Sequence, residues 1–413
     1  MSQSAVSHWL SPDRRMMYYL FLLGFFAIFS TTISKNPVLP LFSHAIGAND
    51  VVIGLVAAVS PLAGILFSFP VGVVSDHIGR KKLLVVSGIV FLSAPLLYLF
   101  ISDPLWLIPV RFFHGTATAI LGPVISAVIA ERFPETKGAM LGQYSSATLV
   151  GRTIAPLAGG IIISAFINYP GLVPYRIVYV VATLAAVPVL IMTLIYHENR
   201  PEPSVTLKLS TFRTSFVTFF SHSGLRATAL VDMATYFSFG ALETFLPLFL
   251  ASLGIGPYLT GIIFAVQVLV IAGSKPFFGK IADRIDKRVQ IAAGLIILGC
   301  SVALIPFTTE FFMVFLVSAA FGLGMSLSTV ATSAYVADIA QKEQIGASMG
   351  ALSSIMDIGQ SAGPLITGII IMGFGYIYGF FASFLLAIVV TALFMIAVRD
   401  HAQKGVPRIP GTG

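Results

Sequence analysis

Arg111, His114, Arg152, Asp232, Glu243 and Asp357, with Lys35 and Lys275, stand inside long stretches otherwise almost free of charge. An ionisable side chain in such surroundings costs several kcal/mol unless water, a partner or a bound group compensates it, so each is a candidate for function. Arg111 and His114 are one helical turn apart on the same face, which sets a fixed cation beside a titratable imidazole or, failing that, a histidine used in packing. Arg152 lies about 14 positions, roughly 21 Å, beyond Gly138, too deep to reach water easily by extending its side chain. It needs an anion, either a carboxylate or a substrate. Asp357 is about 11 residues, roughly 16 Å, into its stretch. Burial and any nearby Arg act there in opposite senses on proton affinity, which suits a site exchanging a proton for a substrate. Lys35 and Glu243 precede Pro40 and Pro247 towards the outer ends of their stretches and form a candidate outer gate. Asp232 and Lys275 lie towards the inner side of neighbouring stretches, where they either pair or line a cavity. A single cysteine, Cys300, allows no intrachain disulfide or cysteine-rich metal site. Neither a G-x-x-x-x-G-K-S/T loop nor an H-E-x-x-H helix occurs, so we expect no cofactor, no metal and no enzymatic chemistry, with an ion or substrate gradient in the place of ATP.

Membrane helices are the elements that must position these charges. Apolar residues make up 57% of the 413 and charged residues 10%, against about 25% charged in a soluble domain. Disorder, collagen and nucleic-acid binding are poor readings of such a chain. A span needs about 20 apolar residues, and twelve are expected, near 16–41, 51–75, 83–100, 105–132, 138–166, 175–196, 224–250, 257–281, 289–307, 310–337, 346–371 and 376–398. Met1 to Arg15 is polar, and no short apolar core with a small-residue cleavage site follows, so no cleavable signal is expected. With the N-terminus inside, only Arg176 falls at an outer connection and Lys35, Arg111, Arg152 and Lys275 fall within spans; the remaining Lys and Arg lie on inner segments. Both termini are therefore expected in the cytoplasm, in a cell membrane, and the net charge of +7 is a topology signal rather than a sign of an acidic partner.

The spans repeat. Pro40, Gly47, Gly54, Gly72, Asp76 and Gly115 recur as Pro247, Gly254, Gly261, Gly279, Asp283 and Gly322, 207 residues on; Gly142, Gly151, Pro156 and Gly160 recur as Gly350, Gly359, Pro364 and Gly368, 208 on. The chain reads as a duplicated six-helix unit. Six is even, so the copies are parallel repeats about an axis along the membrane normal, as in secondary transporters. The expected organisation is a first bundle at 1–196, a cytoplasmic linker at 197–223, a second bundle at 224–398 and a tail at 399–413. The linker places Leu207, Phe212 and Phe219 among Lys208, Arg213 and hydroxyl residues, and reads as an interfacial amphipathic segment or an ordinary extended linker.

Gly72-Val-Val-Ser-Asp76-His-Ile-Gly79-Arg80-Lys81-Lys82 joins the second and third spans. It resembles the signature loop of the major facilitator superfamily, G-x-x-x-D-R-x-G-R-R/K-R/K, with His77 where that family usually has Arg. Gly279-Lys-Ile-Ala-Asp283-Arg-Ile-Asp286-Lys287-Arg288 is a degenerate second copy. Arg111-Phe-Phe-His114-Gly115 is similar to the family's R-x-x-Q-G motif. Gly151-Arg-Thr-Ile-Ala155-Pro156-Leu-Ala-Gly159-Gly160 is similar to the antiporter motif G-x-x-x-G-P-x-x-G-G, with Ala155 for one Gly. Gly359, Gly363, Pro364 and Gly368 echo it in the eleventh span. Gly151, Ala155 and Gly159, four apart, make a smooth packing face, and Pro156 favours a kink.

The resemblance implies an all-α membrane protein, a pair of pseudosymmetric six-helix bundles that rock to alternate access. It implies an inner latch in which Asp76 meets the eleventh span and Asp283 the fifth, extended by Arg80 with Glu131 and by Lys287 with Asp338. Gly72 is expected to bring two helix backbones close. The function expected is proton-coupled efflux of a small amphipathic or lipophilic compound by a monomer, as in drug:proton antiporters. Uptake of an anionic or polar solute, or lipid flipping, would use the same fold; a non-transporting sensor or scaffold would tolerate neutralisation of Asp357 and Arg152.

Overall fold

The computed structural model describes residues 12–197, 222–339 and 345–403. Almost all of the expected linker, and the end of the tail, lie outside the described residues. Among those described, the regular elements are helices: α1 Pro12–Ile33, α2 Val38–Ala45, α3 Asp50–Ile78, α4 Arg80–Tyr98, α5 Leu107–Arg132, α6 Lys137–Ala165, α7 Val173–Ile195, α8 Ser223–Ser252, α9 Pro257–Ala282, α10 Lys287–Leu304, α11 Phe311–Ile339, α12 Ile345–Phe374 and α13 Tyr376–Gln403, with short 3-10 turns at Pro104–Trp106 and Ile305–Phe307. Among the described residues, twelve spans are long and apolar enough to cross a membrane. A helix satisfies its own backbone donors and acceptors, which is what hydrocarbon demands of a spanning segment.

The first expected span departs from a single helix. Residues 34–37 form a turn between α1 and α2, with a cis Asn36–Pro37 peptide. Proline has no N–H to continue the ladder, and its ring crowds the preceding turn. Lys35 therefore sits in this break rather than on a helix face.

Two compact units emerge from the packing. One comprises Met1–Thr206 with Thr244–Val268, the other Leu207–Glu243 with Leu269–Gly413. Residues 244–268 join the first unit because α9 packs on α6: a Cβ on Gly261 would lie 2.5 Å from the Pro156 carbonyl oxygen, one on Gly160 would strike that of Pro257, and the Tyr258 N–H donates to Ser164 Oγ at 3.0 Å. The core of the first unit includes Leu84, Phe91, Val124, Ile125, Val128 and Val189. A second-unit core gathers Leu225, Ala229, Val336, Ala351, Leu352 and Ile355.

Small residues set the helix crossings. In the first unit α5 meets α3 where a Cβ on Gly115 would be 2.6 Å from the Ser60 carbonyl oxygen, and in the second α10 meets α11 where one on Gly294 would be 2.5 Å from the Ser328 nitrogen. Hydrocarbon supplies no hydrophobic drive between helices, so close van der Waals approach does the work. The repeat persists in the backbone: Gly47 and Gly254 both adopt positive φ, at 89° and 75°.

The loops between second and third spans of each repeat are built differently. Gly79 ends α3 at φ 97°, a conformation strained for any residue with a Cβ, and donates to the Ser75 carbonyl at 3.2 Å. At the equivalent place Asp286 keeps φ at −56° and caps α10 through its side chain, which accepts from the Arg288 N–H at 2.9 Å. The loss of glycine in the second copy is thus matched by a change of turn.

Candidate functional site

In the second unit α12 lies backbone to backbone on α8. A Cβ on Gly359 would clash with the Met233 carbonyl, and one on Gly363 with that of Phe237. Asp232 and Asp357 are close in sequence to this crossing, on opposite helices. Asp232 is 2% exposed; it lies within reach of the Thr332 hydroxyl, which also donates to the Thr329 carbonyl at 3.1 Å, while among the described residues its Oδ1 has no partner. The Thr235 and Ser328 hydroxyls, 3.4 Å apart, continue a polar seam between α8 and α11. Among the described residues no ion pair joins Asp232 to Lys275, and this part of α8 faces α11.

Asp357 is half-buried, and among the described residues no side chain hydrogen-bonds or pairs with it. At 100° per residue it lies within about 20° of Pro364 and opposite the exposed Ile366. Pro364 marks the protein-packed side, since a Cβ on Gly240 of α8 would be 3.0 Å from its ring. Asp357 is therefore turned away from the isoleucine face that suits lipid.

The first unit carries cations. Arg111 is one turn inside the start of α5 and 2% exposed. It hydrogen-bonds the Tyr98 hydroxyl, which in turn lies 3.4 Å from His114 Nδ1. With its oxygen accepting from Arg111, Tyr98 donates to Nδ1, which puts the ring proton on Nε2. Among the described residues, neither that Nε2 nor Arg111 Nε has a hydrogen-bond partner. Tyr179 stacks on Tyr98 at 4.6 Å, and Phe42 packs edge-on to Tyr179 at 5.3 Å. His114 is thus a packed acceptor in a sealed knot, one of the two roles its position allowed. Sequence reasoning missed Tyr98 and Tyr179, although a tyrosine within an apolar run already asks where its hydroxyl finds a partner. Arg152 is placed otherwise: exposed, midway along the 29-residue α6, with no hydrogen bond or ion pair among the described residues.

At the other end of the spans, Arg80 Nη2 meets Glu131 Oε1 at 2.6 Å, and its Nη1 donates to the Ser75 hydroxyl. Lys287 meets Asp338 at 2.8 Å in the second unit. Asp338 is 56% exposed against 26% for Glu131, so the second pair belongs with surface pairs worth about 0.2–1 kcal/mol. Asp283 is exposed, and the side chain of Asp76 lies outside the described residues. Lys35 and Glu243 are each half-buried and belong to different units.

The glycine stripes serve packing within each unit. A Cβ on Gly151 would be 2.8 Å from the Phe25 carbonyl oxygen of α1, and one on Gly159 3.3 Å from Val38 of α2; Gly368, like Gly359 and Gly363, is buried. The expectation for Gly72 is overturned, because a Cβ there would meet nothing within 4 Å. The close crossing of α3 is made at Ser60 with Gly115 instead. A serine-elbow spacing, Gly346-Ala-Ser348-Met-Gly350, falls in the opening of helix α12; the elbow requires a strand-to-helix turn, so the spacing is no sign of a nucleophile.

The sequence profile of the Major Facilitator Superfamily matches residues 20–266 and 228–412. The chain belongs to that superfamily. This superfamily member is 26% identical over 353 residues to an uncharacterised MFS-type transporter of Methanocaldococcus jannaschii, covering 84% of this chain and 90% of that one. It is 24% identical over 360 residues to the multi-drug resistance efflux pump PmrA of Streptococcus pneumoniae, covering 84% and 87%. Its fold matches a bacterial homologue of the human lysosomal transporter Spinster with a TM-score of 0.75 at 16% identity, covering 96% and 98% of the two chains.

Proposed function

We propose that this superfamily member is a proton-coupled exporter of a small amphipathic compound, working by alternating access, and that Asp357 carries the exchanged proton. The observation that carries the reading is the placement of Asp357 deep in α12, without a partner among the described residues and on the side opposite Ile366. An ionised carboxylate is costly in such a setting unless water, a cation or a proton compensates it. A carboxyl that meets water in one state and is closed off in another therefore exchanges its charge for a proton, and that exchange drives cargo outward. Asp232, sealed with Thr332, is the second acid available to the same cycle. That the relative PmrA is a multi-drug resistance efflux pump supports export. The Lys and Arg distribution supports a cell-membrane protein with both termini in the cytoplasm.

Reconstitution in liposomes with an internal pH dye and a panel of lipophilic compounds tests this. Cargo addition is expected to move protons against the cargo in wild type. In Asp357→Asn uphill transport falls to the protein-free background while cargo-for-cargo exchange persists. Wild-type pumping by Asp357→Asn would remove the assignment.

A further inference from the structure

We propose that Arg152 recognises an anionic group on the cargo, a carboxylate or similar oxyanion, from a watery cleft in the first unit. The proposal rests on the export reading and names the class of compound exported. Arg152 is exposed yet stands midway along α6, about 20 Å from either end and beyond reach of water there. Its neighbours fix which way that exposure faces. On one flank Gly151, Ala155 and Gly159 are buried, with Gly151 against α1; on the other, Pro156 and Gly160 are buried against α9. The exposed, lipid-like residues Val150, Ile154 and Ile161 lie about 160–180° around the helix from Arg152. The opening at Arg152 therefore lies between two protein-packed flanks.

Long helical side chains lean towards the N-terminus, the direction of Ser145, which is itself exposed, two turns away and only about 20° around the helix. The acids set deep in spans, Asp232, Glu243 and Asp357, all belong to the second unit, whereas Arg111 shares the first unit with Arg152. Arg152 thus has no deep carboxylate within its own unit. A guanidinium that is always charged and presents a planar fork of donors fits a carboxylate in two parallel bonds.

The test uses full-length protein with Cys300→Ser and Ser145→Cys. Labelling rates with a sulfonate-bearing and a trimethylammonium-bearing methanethiosulfonate are compared, each normalised to a free thiol. A cation a few ångströms away should favour the anionic reagent about tenfold. That bias should vanish in Arg152→Gln and survive in Arg152→Lys, and naphthoate should slow labelling where naphthamide and chloride do not. No labelling by either reagent, no bias, or a bias unchanged in Arg152→Gln would overturn the proposal. So would slowing by chloride as well as naphthoate, which marks an inorganic-ion site, or slowing by none of the three. Labelling needs no proton gradient, so a bias found without proton-driven export leaves the anion site standing and removes the export reading. Proton-driven export with no bias does the reverse.

Discussion

Gly359 seats on the carbonyl of Met233, and Gly151 seats on that of Phe25; both members of each pair are related by the same 208-residue step. The duplication is therefore a duplication of contacts. Gly359→Ala must push α12 off α8, and overpacking of this kind costs about 1–3 kcal/mol. Gly72→Ala meets open space and should be neutral or stabilising by up to about 1 kcal/mol. Melting of the two purified variants in detergent checks the contrast, and equal losses would refute it.

The two ion pairs near the loops should differ in weight. Glu131→Gln breaks a charge-assisted bond of a 9%-exposed Arg80, and should cost about 1.5–3 kcal/mol. Asp338→Asn should cost less than about 1 kcal/mol. Thermal stability at low and high salt separates them, since only the exposed pair should weaken appreciably with added salt.

Asp286 offers a pH signature outside the spans. Its hydrogen bond from the Arg288 side chain holds its carboxyl below the usual aspartate range. A folded-state value lowered in this way gives stability that is complete above the unfolded value, about 3.9, and lost as pH falls through the folded one. Asp286→Asn keeps a capping side chain and removes the charge, so wild type should exceed it slightly near neutrality and the gap should close below about pH 4. Asp286→Ala should lose about 1 kcal/mol of capping as well.

The tyrosine pair in the first unit gives opposite expectations from the same chemical change. Tyr98→Phe removes the oxygen that takes the Arg111 bond and reaches His114, leaving a buried Arg111 donor and the His114 Nδ1 acceptor unmet at about 1–3 kcal/mol. Tyr179→Phe removes a buried hydroxyl that has no hydrogen-bond partner among the described residues, and should be neutral or stabilising. Melting temperatures that fall equally would contradict this arrangement.

Helix number, the duplication and the identity of the deep charges were legible in the sequence, because hydrocarbon excludes charge and makes every exception visible. The partners of Arg80 and Lys287 follow from the resemblance, which implies a latch between the ends of adjoining spans. Pro37 signals the break at Ser34–Pro37, but the apolar composition of 16–41 does not distinguish one helix from two. Gly72 stands in open space; a glycine in a motif does not say which neighbour, if any, comes close. Tertiary structure alone decided that Asp232 turns to Thr332, that Arg111 and His114 are closed in by Tyr98 and Tyr179, and that Arg152 and Asp357 stay without partners among the described residues. Sequence composition records what each helix can tolerate in oil; the rotation of each helix about its axis, which decides what a side chain meets, is fixed by the packing of glycines and rings drawn from distant parts of the chain.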